Sequence, residues 1–164
     1  MNLLRTERLT LRPMTEADRG AFIRVHERGW SEHLAPWSPL PDTDPPDFDA
    51  LFAQQLARSV EGFAAGTSCR LLAFDGDGSL VGAFNLNNVT RGVFQNADAG
   101  WWVGVDHVRR GYAVEAVRAL LSLAFTPRRP ELPLDGVRSG LGLHRVQCGI
   151  IPSNAASLAV AERV

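Results

Sequence analysis

The sequence predicts an α+β fold, a mixed and mostly antiparallel sheet flanked by helices, and three observations carry that prediction. Cys69 to Phe74 and Leu80 to Leu86 are strand-forming runs on either side of Asp75-Gly76-Asp77-Gly78, a strong hairpin signal. A third strand is expected from Ala97 to Val105, rich in aromatic and β-branched residues, after a polar turn region at Asn87 to Asn96 that contains Gly92. A long amphipathic helix follows, because Ala113, Ala116, Val117, Leu120, Leu121 and Ala124 recur every three or four positions, and Pro127 stops it. Three consecutive antiparallel strands ahead of one helix argue against a doubly wound parallel sheet.

Taken in order, Thr6 to Arg12 alternates Leu9 and Leu11 with Thr10 and Arg12 and reads as a first strand, ended by Pro13 and Met14. Thr15 is a helix N-cap with Glu16 and Asp18 in the first turn, and the helix should run to about Arg28 with Phe22 and Val25 inward. The connection from Gly29 to Pro46 holds Trp30, Trp37 and five prolines. A connection of that length is usually functional or disordered, and two tryptophans argue against disorder. A second helix is expected over Asp47 to Phe63, with Phe48, Leu51, Phe52, Leu56, Val60 and Phe63 on one face and Gly62 and Gly66 closing it.

After the long helix, the segment of about 127–142 has prolines, glycines and charges without periodicity and reads as a surface insertion, a mobile loop or a flap. His144 to Ile151 is then a strand, Pro152-Ser153-Asn154 breaks it, and Asn154 caps a last helix. At 164 residues and 45% apolar, one domain with its own core is expected. A net charge of −1 offers no global field for nucleic acid or an anionic membrane. No signal-peptide core and no long apolar run is present, so a cytoplasmic protein is expected. Cys69 and Cys148 form no Cys-x-x-Cys pair; they read as two small buried thiols, with no disulfide and no metal site.

The chemistry concentrates between Trp101 and Phe125. The strand Trp101-Trp102-Val103-Gly104-Val105 leads into Asp106-His107-Val108-Arg109-Arg110-Gly111 and directly into the helix. A turn that ends in glycine and opens a helix leaves several N–H groups aimed at one spot, at the positive end of the helix dipole. That spot suits a phosphate or pyrophosphate, and Arg109 and Arg110 add charge. Taken alone, the same glycine turn is also an ordinary connection, and it lacks the extra glycines and the Lys-Ser/Thr pair of the nucleotide loops.

The run from Leu80 to Ala116 favours the anion-binding alternative. With Asn85-Leu86-Asn87-Asn88-Val89, Arg91-Gly92, Gly100-Trp101-Trp102 and Arg110-Gly111-Tyr112-Ala113-Val114-Glu115-Ala116, it closely resembles the GNAT superfamily of N-acetyltransferases. Within that superfamily it is most similar to the branch that acetylates the N-terminal alanine of ribosomal proteins. The family's pyrophosphate loop reads Gln/Arg-x-x-Gly-x-Gly/Ala; Gly111 and Ala113 match it, Val108 stands where Gln or Arg is usual, and Arg109 where many members carry a second glycine.

The resemblance implies a GNAT-like sheet and acetyl-CoA as co-substrate, with no metal. It implies that Trp102, Val103, Gly104 and Val105 offer backbone contacts to the pantetheine arm and thioester, and that Arg109, Arg110, Gly111, Tyr112 and Ala113 hold the pyrophosphate. Asn154 matches the family's cofactor-contacting Asn, with Ser157 one turn further on, and it is equally a plain helix cap. Trp30, Glu32, His33 and Trp37 border the acceptor groove as substrate contacts, although the tryptophans could simply cap the core.

Asp98 falls where relatives often place a Glu base; it is either that base or a solvated carboxylate, and His26, His33 and His144 are rivals. No Ser/His/Asp-like pattern stands out, which favours direct transfer over an acyl-enzyme. The expected acceptor is a protein N-terminus. The alternatives are a small amine such as an antibiotic or polyamine, and a non-catalytic acyl-CoA-binding or dimerising module. The family continues past such a last helix with a Gly-Phe turn and two strands, which do not follow Val164. The C-terminal strands are therefore expected to be missing, and a bare sheet edge predicts a homo-oligomer or another partner chain.

Overall fold

Six strands form one sheet in sequence order in the computed structural model, which describes residues 4–38 and 45–164. They are β1 (Leu4–Arg5), β2 (Thr10–Pro13), β3 (Cys69–Phe74), β4 (Leu80–Thr90), β5 (Asn96–Val103) and β6 (Arg145–Gln147). All neighbours are antiparallel except β5 and β6, which run parallel. Four α-helices, α1 (Arg19–Gly29), α2 (Phe48–Ala65), α3 (Tyr112–Phe125) and α4 (Ala155–Ala161), complete the described fold. The expected mixed, mostly antiparallel sheet flanked by helices is what forms.

Each face of the sheet has its own core. Val117, Leu120 and Leu123 of α3 bury against Leu11, Leu71, Phe84 and Leu86 on one face. On the other, Phe22 of α1 and Phe52 of α2 meet Leu72, Ala83 and Trp102. Because both faces are covered, the first half of β4 is buried residue after residue and does not alternate. α1 is tied to the sheet by a bidentate ion pair: Arg12 of β2 donates to both oxygens of Asp18, at 2.6 and 2.8 Å. The same carboxylate accepts from the backbone N–H and the hydroxyl of Thr15.

Several elements depart from the sequence reading. The first strand is a hairpin, because Thr6 and Leu9 close a turn inside it (Thr6 N–H to Leu9 O, 2.9 Å). A 3₁₀ turn at Glu16–Asp18 precedes α1. β4 runs through the expected turn region to Thr90, with a bulge between Asn87 and Thr90; a bulge lets polar residues stay in the ladder. Only Arg145–Gln147 of the expected His144 to Ile151 strand pairs. On α2, Val60 and Phe63 are exposed while Ser59 is buried, since the sheet contacts a narrower stripe than the periodicity implied. Cys69 is buried as expected, but Cys148 is exposed. Pro39 to Asp44, within the expected acceptor-side connection, lie outside the described residues.

The segment after α3 has no regular secondary structure and is tied to the helix at its far end. It folds back along the end of that helix, where the last carbonyls lack intrahelical partners. Leu141 N–H donates to Leu123 O and Leu143 N–H to Ala124 O, each at 2.8 Å, and Gly142 N–H reaches Thr126 O at 2.9 Å. Gly140 is required there, because a Cβ would stand 2.4 Å from Leu123 O. Ser139, fully buried, both donates to Arg129 O and accepts from its N–H. This fastening sits at the opposite end of α3 from Gly111, some ~21 Å away for a helix of its length.

Candidate active site

A slot opens between β5 and β6. The two strands pair from Asn96↔Arg145 to Asp98↔Gln147 and make no further pair, so the rest of β5 keeps an edge with no neighbouring strand among the described residues. Strand geometry decides which peptide groups line it. In an antiparallel ladder, alternate residues direct N–H and C=O to opposite sides. Gly104 N–H donates to Val81 O at 2.8 Å, so Gly104, Trp102 and Gly100 face β4. Ala99, Trp101 and Val103 therefore present their backbone groups to the slot. Of the four residues expected to offer backbone contacts, Val103 directs its N–H to this edge; Gly104 and Trp102 face β4, and Val105 lies in a 3₁₀ turn. Ala99 and Trp101, outside that expected run, share this edge by the period of two in β5.

The slot runs into the turn before α3. Arg109 and Gly111 both adopt the left-handed region, at φ 60° and 79°. The first helical bond is Glu115 N–H to Gly111 O, so the N–H groups from Gly111 to Val114 have no helical partner. The guanidinium groups of Arg109 and Arg110 are exposed and make no hydrogen bond or ion pair with the described residues. The bare Gly111 leaves the cradle open, since an added Cβ would meet only the end of Arg8, at 3.4 Å. A pyrophosphate fits this combination of orphan donors, helix dipole and free charge.

A clamp that sequence reading missed fixes this turn. Arg8 pairs with Glu115 in the first turn of α3 (2.6 Å), donates to Arg110 O (2.8 Å) and lies over the Tyr112 ring (4.6 Å). Thr6 donates to the same carboxylate at 2.5 Å. Glu115 is desolvated, which opposes ionisation, but the hydrogen bonds from Thr6 and Arg8 outweigh this and hold its pKa below the usual carboxylate value. Arg8 thus neutralises the one acidic side chain in the first turn. The Glu115 position was visible in the motif, but its partner 107 residues away was not.

The acceptor side is built by the end of α1. The helix passes into a π-helical turn, Trp30–Leu34, and a 3₁₀ turn, Ala35–Trp37. Such π segments re-aim side chains and recur at functional sites. Here the turn brings His33 to the open edge, with Nε2 2.9 Å from Val103 O. Trp30 packs edge-on against Phe48 (5.5 Å) beside His26, so it serves as a wall. Glu32 and Trp37 are exposed, and Trp37 therefore does not cap the core. His26 is buried, donates from Nδ1 to Phe22 O at 2.9 Å and stacks on the Phe22 ring at 4.0 Å. Burial lowers its pKa, keeping it neutral.

Asp98 occupies the apex of the slot, not its mouth. Asn88 of the β4 bulge and Gln147 of β6 donate to its two oxygens, at 2.7 and 2.8 Å. Those bonds lower its pKa, making it a weaker base. It sits five residues from Val103, ~17 Å along an extended strand. Its evident work is to latch β4, β5 and β6 together. His144 is exposed at the start of β6, beside Gln95. Asn154 caps α4, its Oδ1 accepting from Ser157 N–H at 3.1 Å, which leaves its amide nitrogen free of hydrogen bonds to the described residues. No cluster of three or more His, Cys, Asp or Glu among the described residues is placed to hold a metal.

Comparison with known proteins agrees with this geometry. Over 87 residues the chain is 31% identical to the probable N-acetyltransferase YjcK of Bacillus subtilis (strain 168), a match covering 53% of this chain and 41% of that protein. The solved structure of Mycobacterium smegmatis RimJ in complex with CoA-disulfide is 26% identical, covers 94% of this chain and 68% of its own, and superposes with a TM-score of 0.75. The ribosomal-protein-S5-alanine acetyltransferase from Vibrio fischeri, 21% identical, shares the fold with a TM-score of 0.75, over 96% of this chain and 79% of its own. The model of the acetyltransferase (GNAT) domain matches residues 8–164, and the chain belongs to that family.

Proposed function

We propose that this protein transfers the acetyl group of acetyl-CoA directly to a primary amine, the N-terminal α-amino group of a protein, with ribosomal proteins as the acceptor class. The observation that carries the reading is the free edge of β5, running from the Asp98↔Gln147 pair to the open donors at Gly111. An extended pantetheine arm would add to that edge like a strand, through Ala99, Trp101 and Val103. Its pyrophosphate would rest on the N–H groups from Gly111 through Tyr112 and Ala113, with Arg109 and Arg110 supplying charge. The free amide nitrogen of Asn154 is the group left to contact the cofactor, and Ser157 contributes through the cap it shares with Asn154. RimJ, similar over most of this chain, is solved in complex with CoA-disulfide, in keeping with this assignment.

The acceptor reading rests on the sequence motifs and on the wall beside the slot. Trp30, Phe48 and Trp102 are rings, and the segment 29–46 carries only Glu32, Asp42 and Asp44 as carboxylates. A polyamine needs several carboxylates to replace its solvation, whereas a peptide N-terminus carries a single charge and an apolar chain. Thiol release from acetyl-CoA tests this, with peptides beginning in Ala or Ser offered against spermidine and an aminoglycoside. We expect the peptides to react at least tenfold faster, a difference of ~1.4 kcal/mol in transition-state binding. Faster release with spermidine would reassign the acceptor, and no release with any amine would reduce the chain to a binding module.

A further inference from the structure

We infer that His33 is the general base that deprotonates the acceptor amine, a role that rests on the acetyl-transfer reading above. Its Nε2 lies 2.9 Å from Val103 O. A carbonyl oxygen can only accept, so Nε2 carries the proton of that bond and the tautomer is set. In the neutral ring, Nδ1 then holds a lone pair and no hydrogen. No other described residue bonds to that ring. The half-exposed imidazole therefore stands where the acceptor wall meets the free edge of β5.

The other candidates are placed worse. Asp98 is held by Asn88 and Gln147 at the far end of the strand, away from the acceptor wall. His26 is enclosed by Phe22, Trp30, Phe48 and Trp102 and is 4% exposed, so an incoming amine does not meet it. The elements that meet at this corner carry Arg19, Arg24, His26, Glu27 and Arg28 on α1, Glu32 beside His33 in the π turn, and Asp106 and His107 in the turn after β5. Arg28 and Asp106 neutralise each other at 2.9 Å.

The step balances as follows. An ammonium gives one proton to Nδ1 of His33, and the freed nitrogen lone pair forms a C–N bond to the thioester carbon. The C–S bond breaks with its electron pair on sulfur, the second nitrogen proton ends on that thiolate, and the imidazolium returns its proton to solvent. No oxidant or further reactant is needed.

The test compares the parent with His33→Gln, whose amide N–H can still donate to Val103 O but cannot take a proton. kcat/KM is measured against pH with an alanine-initiated peptide and acetyl-CoA, and CoA affinity is measured by calorimetry. We expect the parent's rate to rise with pH through a single ionisation that is absent in His33→Gln. The variant should lose ~100-fold at neutral pH, in the range of general-base catalysis, with CoA affinity unchanged. A variant that keeps the acid limb, or an Asp98→Asn variant that loses it while His33→Gln does not, overturns the assignment. A parent inactive with every amine overturns the transfer reading and the base with it. Should His33→Gln fail to fold, nitrogen NMR of the parent's histidines decides: an unprotonated Nδ1 on His33 at neutral pH supports the role, and a hydrogen on Nδ1 ends it.

Discussion

Gly111→Val is expected to weaken CoA binding at least tenfold while leaving the fold in place. Gly111 sits at φ 79° as the residue that opens α3. A left-handed backbone costs an L-residue on the order of 1–2 kcal/mol, and a β-branched one more. The valine variant therefore either carries that strain or swings the peptide out of αL and misaims the N–H groups of the cradle. Either outcome acts at the anion, since each 1.4 kcal/mol is a factor of about ten in affinity. The fold is spared because an added Cβ meets no backbone and only the movable end of Arg8. Titration calorimetry with CoA and a thermal melt separate the two effects. Parental affinity in a folded variant would remove this turn from the binding site.

The largest loss of stability is expected from Asp18→Ala, about 3 kcal/mol, or roughly a 6–12 °C fall in Tm for a chain of this size. The Asp18 side chain is 5% exposed and Arg12 24%. Removing the carboxylate leaves the guanidinium half-enclosed over the Phe74 ring, with Pro13 O as its remaining partner. Arg12 keeps some solvent, which holds the estimate to the lower end for a broken buried pair.

The ion pair also sets an acid limb. Desolvation alone would raise the pKa of Asp18, but the hydrogen bonds from Arg12 and Thr15 outweigh it and lower the value below the ordinary 3.8. A carboxylate depressed in the folded state stabilises fully above its unfolded value and loses that contribution as pH falls through its folded one. Parental stability should therefore drop below about pH 4, and less steeply in Asp18→Ala. A residual limb remains, because Glu115 is shifted in the same direction. Melts at neutral pH and at pH 3 check both statements, and an unchanged Tm in the variant would contradict them.

What the sequence disclosed was mostly local chemistry. Asp75 accepting from Asp77 and Ser79 closes the expected hairpin, Asp47 caps α2, Gly66 ends it in αL, and Asn154 caps α4. Each needs only residues within a turn of one another, and the motif around Gly111 is likewise contiguous. Contacts that depend on distant chain were hidden. Nothing in Thr6 or Arg8 announces Glu115, and nothing in His33 announces a bond to Val103, 70 residues on. The π turn that aims His33 has no sequence signal of its own. Periodicity overstated the inner face of α2 and the length of the last strand, because a helix on a sheet buries a stripe and a splayed strand loses its partner. In β5 the alternation was present, yet a contiguous run was read where every second peptide faces the slot.

Amide hydrogen exchange with and without CoA tests the central claim most directly, because the free edge of β5 and the start of α3 are defined by backbone N–H groups without partners among the described residues. CoA should slow exchange at Trp101 and Val103 and across Gly111 to Val114, while Trp102 and Gly104, already paired with β4, change little. Protection that is absent from both segments, or that falls equally on odd and even positions of β5, would contradict a cofactor laid along that edge.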